Sequence, residues 1–144
     1  MATKSVLNIV EDALVVALAT EADLSAYNKL KGQSVTDIAY PSIIVACENA
    51  SYPPGLAQGL GNYLCKVSVG IFTQIDTSTL TAHRTAVQNT MGVLDTVATV
   101  KAAFVSLNDG TAYDTTLTSM DEGRGDRAFV TTLNYDVLMV LPSV

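Results

Sequence analysis

At 144 residues and 15.2 kDa the chain has the size of one domain with a real core. Its 49% hydrophobic and 15% charged residues, with mean hydropathy +0.32, exclude an intrinsically disordered chain and leave a surface dressed in Thr, Ser, Asn and Gln. Fourteen acids against eight bases give a net charge of −6 and a pI near 4.4, a field that repels phosphate backbones and anionic lipid, so nucleic-acid binding by the whole surface is disfavoured.

Residues 1–144 read as a single domain. From about Thr3 to Ala19, Val6, Leu7, Val10, Leu14, Ala17 and Leu18 recur at three- and four-residue steps, the stripe of an amphipathic helix. The stretch from Ala22 to Tyr40, with Lys29, Lys31, Gly32 and Gln33, is polar and irregular and reads as a surface segment. Pro41 then opens a strand in which Ile43, Ile44, Val45, Ala46 and Cys47 form an apolar run too short for a helix. Between Glu48 and Asn62, Pro53, Pro54, Gly55, Gly59 and Gly61 predict a long loop, the first place to look for a partner surface; its Tyr52, Leu56 and Leu60 need a cover.

Past the loop, Tyr63, Cys65, Val67, Val69 and Ile71 alternate with Leu64, Lys66, Ser68, Gly70 and Phe72, and the first set is expected on the core side. Asp76, Thr77, Ser78 and Thr79 offer N-caps to a second helix running to about residue 95, and Val97 to Leu107 reads as a third helix or a bent continuation, stopped by Asn108, Asp109 and Gly110. Two more alternating segments come next, Tyr113 to Thr118 and Phe129 to Leu141, around a charged, glycine-rich hairpin tip from Asp121 to Arg127. The order α-β-β-α-(α)-β-β predicts an α+β domain, a mostly antiparallel four-stranded sheet with helices packed on one face. Ser68, Thr116, Thr132 and Asn134 are expected on its other, polar face.

Little in the chain spells catalysis. The single histidine, His83, sits on the apolar side of the second helix with no nucleophile motif near it and reads as a packing residue. Cys47 and Cys65 lie in strand-like runs and read as buried thiols, with a disulfide between neighbouring strands the alternative; with one distant histidine they lack the spacing of a zinc site. There is no P-loop, dinucleotide fingerprint or nucleophile elbow, and no cofactor is expected. Glu11, Asp12, Glu21 and Asp23 interrupt the most apolar segment, which argues against a membrane span and against an export signal. Arg124-Gly125-Asp126 spells an adhesion tripeptide, which in a chain read as cytoplasmic is more simply a solvated turn. The charges of that tip, Asp121, Glu122, Arg124, Asp126 and Arg127, are suited either to ion pairs with a neighbouring copy or to solubilising the turn.

The element order and several phrases resemble the tail-terminator (tail-completion, neck) proteins of long-tailed bacteriophages. The residues that carry it are Tyr40-Pro41-Ser42-Ile43-Ile44-Val45 leading into the first strand, the Pro/Gly loop, the strand from Tyr63 to Ile75 with its Thr-rich cap, and Arg124-Gly125-Asp126-Arg127-Ala128-Phe129 before the last strand. The resemblance covers most of the chain and rests on no single diagnostic motif. It implies a structural, non-enzymatic virion protein: a homohexameric ring that ends tail-tube polymerisation, meets the tail-tube protein on one side and the head-side connector on the other, and lets DNA pass without specific binding. It places the chain in the tail or neck of the particle, and in the host cytoplasm during assembly. Glu48, Tyr52, Leu56 and Leu60 of the loop, Arg84 of the second helix, and Asp121, Glu122, Arg124, Asp126 and Arg127 of the tip are the candidate interface residues. Six copies would also absorb the apolar surplus, because each subunit buries two flanks. Two other readings stand beside it: a tail-tube or head–tail joining subunit, and a small ligand-binding or enzymatic α+β domain with Tyr52, Tyr63 and Cys65 as pocket walls.

Overall fold

The computed structural model describes residues 5–32, 39–52 and 61–141. Helix α1 (Val6–Ala19) begins where the Ser5 hydroxyl accepts the Asn8 N–H at 3.2 Å and buries Ile9, Val10, Ala13, Leu14, Ala17 and Leu18. It stops at Thr20, whose side chain folds back onto the Ala17 carbonyl at 2.6 Å. A single 3-10 turn (Ala22–Leu24) then drops Leu24 into the core.

The next segment departs from the sequence expectation. Asn28–Lys31 form a short strand, β1, lying parallel to β2 (Ser42–Ser51). The sheet therefore has five strands and is mixed, in the order β1-β2-β3-β5-β4, with β3 (Asn62–Gln74), β4 (Thr111–Arg124) and β5 (Ala128–Val140) antiparallel to their neighbours. The surface reading of 22–40 failed because β1 has one apolar residue, Leu30, between two lysines. Its lysine ammoniums are placed instead by the helix layer, Lys29 on the Leu24 carbonyl at 2.5 Å and Lys31 on Asp12 at 2.5 Å.

The expected loop is also shorter than read, since β2 continues through a bulge at Glu48 to Ser51. Likewise the charged tip is mostly ladder. β4 carries Asp121, Glu122, Gly123 and Arg124 in register with Thr132, Thr131, Val130 and Phe129, leaving Gly125, Asp126 and Arg127 for the turn. Charge misled here because an edge strand tolerates it.

α2 (Leu80–Leu94) is capped by the Thr79 hydroxyl accepting the Ala82 N–H at 3.1 Å. The chain then breaks at Asp95 and Thr96 and restarts as α3 (Val97–Ser106), so the third apolar stretch is a separate helix. Gly110, at φ +99, brings the chain so close to β5 that a Cβ there would lie 2.1 Å from the Val140 carbonyl oxygen.

The three helices cover one face. Beneath them Cys65, Val67, Val69 and Ile71 alternate inward from β3 as expected, joined by Ile43 and Val45 of β2, Leu133, Tyr135, Val137 and Met139 of β5, and Phe104 of α3. The opposite face carries Ser68, Thr132 and Asn134 with a Lys66–Asp136 ion pair at 3.0 Å. Gly70 leaves room there for the Phe72 ring, which a Cβ would meet at 2.8 Å.

Candidate subunit interface

The helix layer does not reach the whole sheet. Past its bulge at Thr118, β4 turns Met120, Glu122 and Arg124 toward the helix side, where α2 does not cover them and its Arg84 side chain reaches across to Glu122. Between α2 and β4 lies a groove of about 700 Å³ whose apolar walls are Val87, Met91 and Met120, with Asp95 toward one end and Arg84–Glu122 at the other. Met120 is 50% exposed in it.

Arg84 and Glu122 form a two-pronged pair, Nε to Oε1 at 2.9 Å and Nη2 to Oε2 at 2.7 Å, and the guanidinium holds the Glu122 carboxyl below its ordinary range. Arg124 lies over the Phe129 ring, 5.6 Å from its centroid. Asp121 is exposed on the opposite face of the same strand. The turn is tied to the end of β3 by the Ile75 N–H, which donates to the Arg127 carbonyl at 2.8 Å, while the Asp126 and Arg127 side chains stay exposed. Arg84, Glu122 and Arg124 thus share the helix side of the far part of β4, Asp121 stands on its other face, and Asp126 and Arg127 lie in the turn beyond.

Glu48 and Tyr52 are elsewhere. Both belong to the far part of β2 and its end, three strands from β4, which is roughly 14 Å at ordinary strand spacing. Exposed Glu48 borders a shallow hollow on the open face with Ile44, Gly70 and Phe72. Tyr52 stacks on Tyr63 with centroids 5.7 Å apart but stays about half exposed, so the cover expected for it is only partial. Leu56 and Leu60 lie outside the described residues. Cys65 is fully buried under the helices. Both cysteines are free thiols, and the hydrogen bond to Cys47 together with burial pushes the Cys65 thiol up.

Among the described residues no strand pairs with the outer side of β4, and its last part is open in a defined way. The Gly125 N–H donates to the Ala128 carbonyl at 2.9 Å, so by antiparallel alternation Gly123, Asp121 and Ser119 also turn their main chain to β5. Met120, Glu122 and Arg124 turn their N–H and C=O groups outward. Contrast β2 beyond the end of β1: there the Cys47 N–H, equally outward, is taken by the Glu11 carboxylate at 2.9 Å. Sequence reasoning found Arg84, Glu122 and Arg124 as charges but missed Met120, Met91 and Asp95. The signal was the alternation running on past Thr118, which the neighbouring charges obscured.

His83 is buried next to this cluster. Its ring bridges two threonine hydroxyls, Nδ1 to Thr73 Oγ1 at 2.7 Å and Nε2 to Thr131 Oγ1 at 2.8 Å, and burial pushes its pKa down. Both nitrogens are occupied by neutral partners, an arrangement that fixes α2 to β3 and β5. No group of three or more metal-ligating side chains occurs among the described residues, and no helix there is long and apolar enough to cross a membrane. No protein-family model matches the chain, and no curated protein is similar enough to count as a relative.

Proposed function

We infer that the chain is a structural subunit that assembles with copies of itself, and that, as the resemblance to tail terminators implies, its assembly is a ring closing the head-proximal end of a phage tail. The observation that supports self-assembly is the open edge of β4 beside the half-exposed Met120 groove: outward main-chain groups, apolar walls and flanking charges are the parts of a protein–protein contact. On this reading the ring stops polymerisation of the tail-tube protein and offers its other side to the head-side connector, while DNA passes through an acidic, non-adhesive lumen.

Light scattering across a concentration series is the test. A closed oligomer of fixed mass, six times 15.2 kDa if the copy number of the resembled family holds, supports the ring, and adding it to assembling tail-tube protein then arrests growth. A monomer that neither assembles nor arrests tubes refutes the reading. Open-ended polymers would make the chain a tube or joining subunit instead.

A further inference from the structure

The sheet has two edges, and they are unlike. β1, at one end, is four residues long; its Asn28 N–H donates to the Pro41 carbonyl at 3.0 Å, and the Gly32 N–H just past it donates to the Val45 carbonyl at 2.9 Å. The main-chain groups of Lys29 and Lys31 therefore point away from β2, to the side on which no described strand pairs with β1. Their side chains are on the helix side, since Lys29 pairs with Ile43 and Lys31 with Val45, both core residues. On β4 the outward-pointing residues, Met120, Glu122 and Arg124, are on the helix side as well.

That coincidence constrains how two copies can join. In an antiparallel pair, residues that exchange hydrogen bonds sit opposite each other with side chains on one face. Docking Lys29 and Lys31 against the outward residues of β4 therefore keeps the helix layers of both copies on the same side, with β1 of one copy antiparallel to β4 of the next. Charge selects the register. With Lys29 opposite Glu122, Lys31 falls opposite Met120 and lays its aliphatic stem over that side chain; a shift of two residues would set Lys29 against Arg124.

The two edge strands also carry opposite charge: β4 has Asp114, Asp121 and Glu122 against one cation, Arg124, whereas β1 has Lys29 and Lys31 and no acid. Pairing β4 with itself about its midpoint would put Asp114 opposite Asp121, a like-charge contact that disfavours a two-fold dimer.

We propose that the subunits join head to tail by sheet extension, β4 of one copy pairing antiparallel with β1 of the next, with Lys29 against Glu122 and Lys31 over Met120. A contact between two different patches generates a ring when its rotation closes, so the inference rests on the reading that the chain self-assembles and specifies the joint.

The test uses two variants of the full chain, each with one edge disabled. Met120→Lys places an ammonium opposite Lys31 and, at a half-exposed position, leaves folding intact; Lys29→Glu places a carboxylate opposite Glu122. Met120→Pro and Lys29→Pro, each removing an outward N–H while sparing the hydrogen bonds of the sheet ladder, serve as second variants. Each variant alone is expected to fall from the oligomer to about 15 kDa with an unchanged far-ultraviolet spectrum. An equimolar mixture of Met120→Lys and Lys29→Glu is expected to form a one-to-one pair of about 30 kDa and nothing larger, because the mixture retains one intact joint. Variants that keep the wild-type mass, or a mixture that stays monomeric, overturn the joint while leaving self-assembly standing. A wild-type chain that is monomeric at every concentration overturns both.

Discussion

Replacing Thr131 with valine removes one hydroxyl from the interior and little else, since the two side chains have the same shape and both suit a strand. Thr131 is 1% exposed and its Oγ1 is 2.8 Å from His83 Nε2, so the variant leaves a ring nitrogen in the core with no partner. A buried polar group so orphaned costs about 1–3 kcal/mol. At roughly 2–4 °C per kcal/mol for a chain of this size, the melting point should fall by about 6 °C. Thr73→Val should behave alike, because it orphans Nδ1, which lies 2.7 Å from Thr73 Oγ1. The diagnostic variant is the triple Thr73→Val, Thr131→Val, His83→Leu. It removes all the polar atoms together, so it should be more stable than Thr131→Val alone despite carrying three changes. Differential scanning calorimetry decides. If Thr131→Val melts with the wild type, or the triple is the weakest of the set, the hydroxyl–imidazole bridge is not what holds α2 to the sheet.

Acid should weaken the protein through the same histidine. Its folded pKa is held below the ordinary 6.5 by burial, with Glu122 opposing and Arg84 adding to the shift, so the unfolded chain binds the proton more readily. Its contribution is whole above about pH 7 and declines as pH falls through 6.5 toward the lower folded value; urea titrations from pH 7.5 to 5 should show the slope, and His83→Leu should reduce it. Gly110→Ala should cost more than about 2 kcal/mol, since φ is +99 and the new Cβ would lie 2.1 Å from the Val140 oxygen. Gly92→Ala, in the interior of α2 with nothing within 4 Å of the new atom, should instead gain about 0.5–1 kcal/mol; denaturant midpoints for the two variants should move in opposite directions. Cys47 and Cys65, both buried free thiols, should resist an aromatic disulfide reagent in the native state and both react in denaturant. A fast-reacting thiol in the native protein would contradict their placement.

Much of the fold could be read from periodicity. α1, α2, β3 and β5 each carry an apolar stripe strong enough to outvote their polar residues, and each lies within a few residues of the expected place. The features that escaped share a physical cause. β1 and the far part of β4 are edge strands, buried on at most one face, so neither needs an apolar run. The lysines of β1 reached the helix layer by their stems, and the acids of β4 were read as a turn. The missed strand is also what made the sheet mixed, because a short parallel edge leaves no hairpin signature. At the candidate interface, charge marked Arg84 and Glu122, yet their pairing across thirty-eight positions is a tertiary fact. Met120 gave no signal until β4 was known to extend past Thr118.

The apolar composition, taken alone, is a poor argument for assembly. Most of that surplus goes into a core filled from both layers, and the large apolar side chains left exposed among the described residues, such as Tyr52, Val105 and Tyr113, are scattered rather than gathered into one patch. Met120 differs in its neighbours rather than its exposure. It sits on an open edge whose outward amides and carbonyls water must satisfy in the free chain, beside a groove walled by Val87 and Met91. The outward Cys47 amide at the end of β1 has no such freedom, because Glu11 already occupies it. The described sheet is therefore closed to further pairing at that point and open at β1 and at β4. A chain that caps one outward amide with a carboxylate while leaving the Met120, Glu122 and Arg124 groups open has an edge shaped for another strand. In the proposed joint, the opposite-edge partner with matching outward residues, matching helix-side orientation and opposite charge is β1 of the next copy.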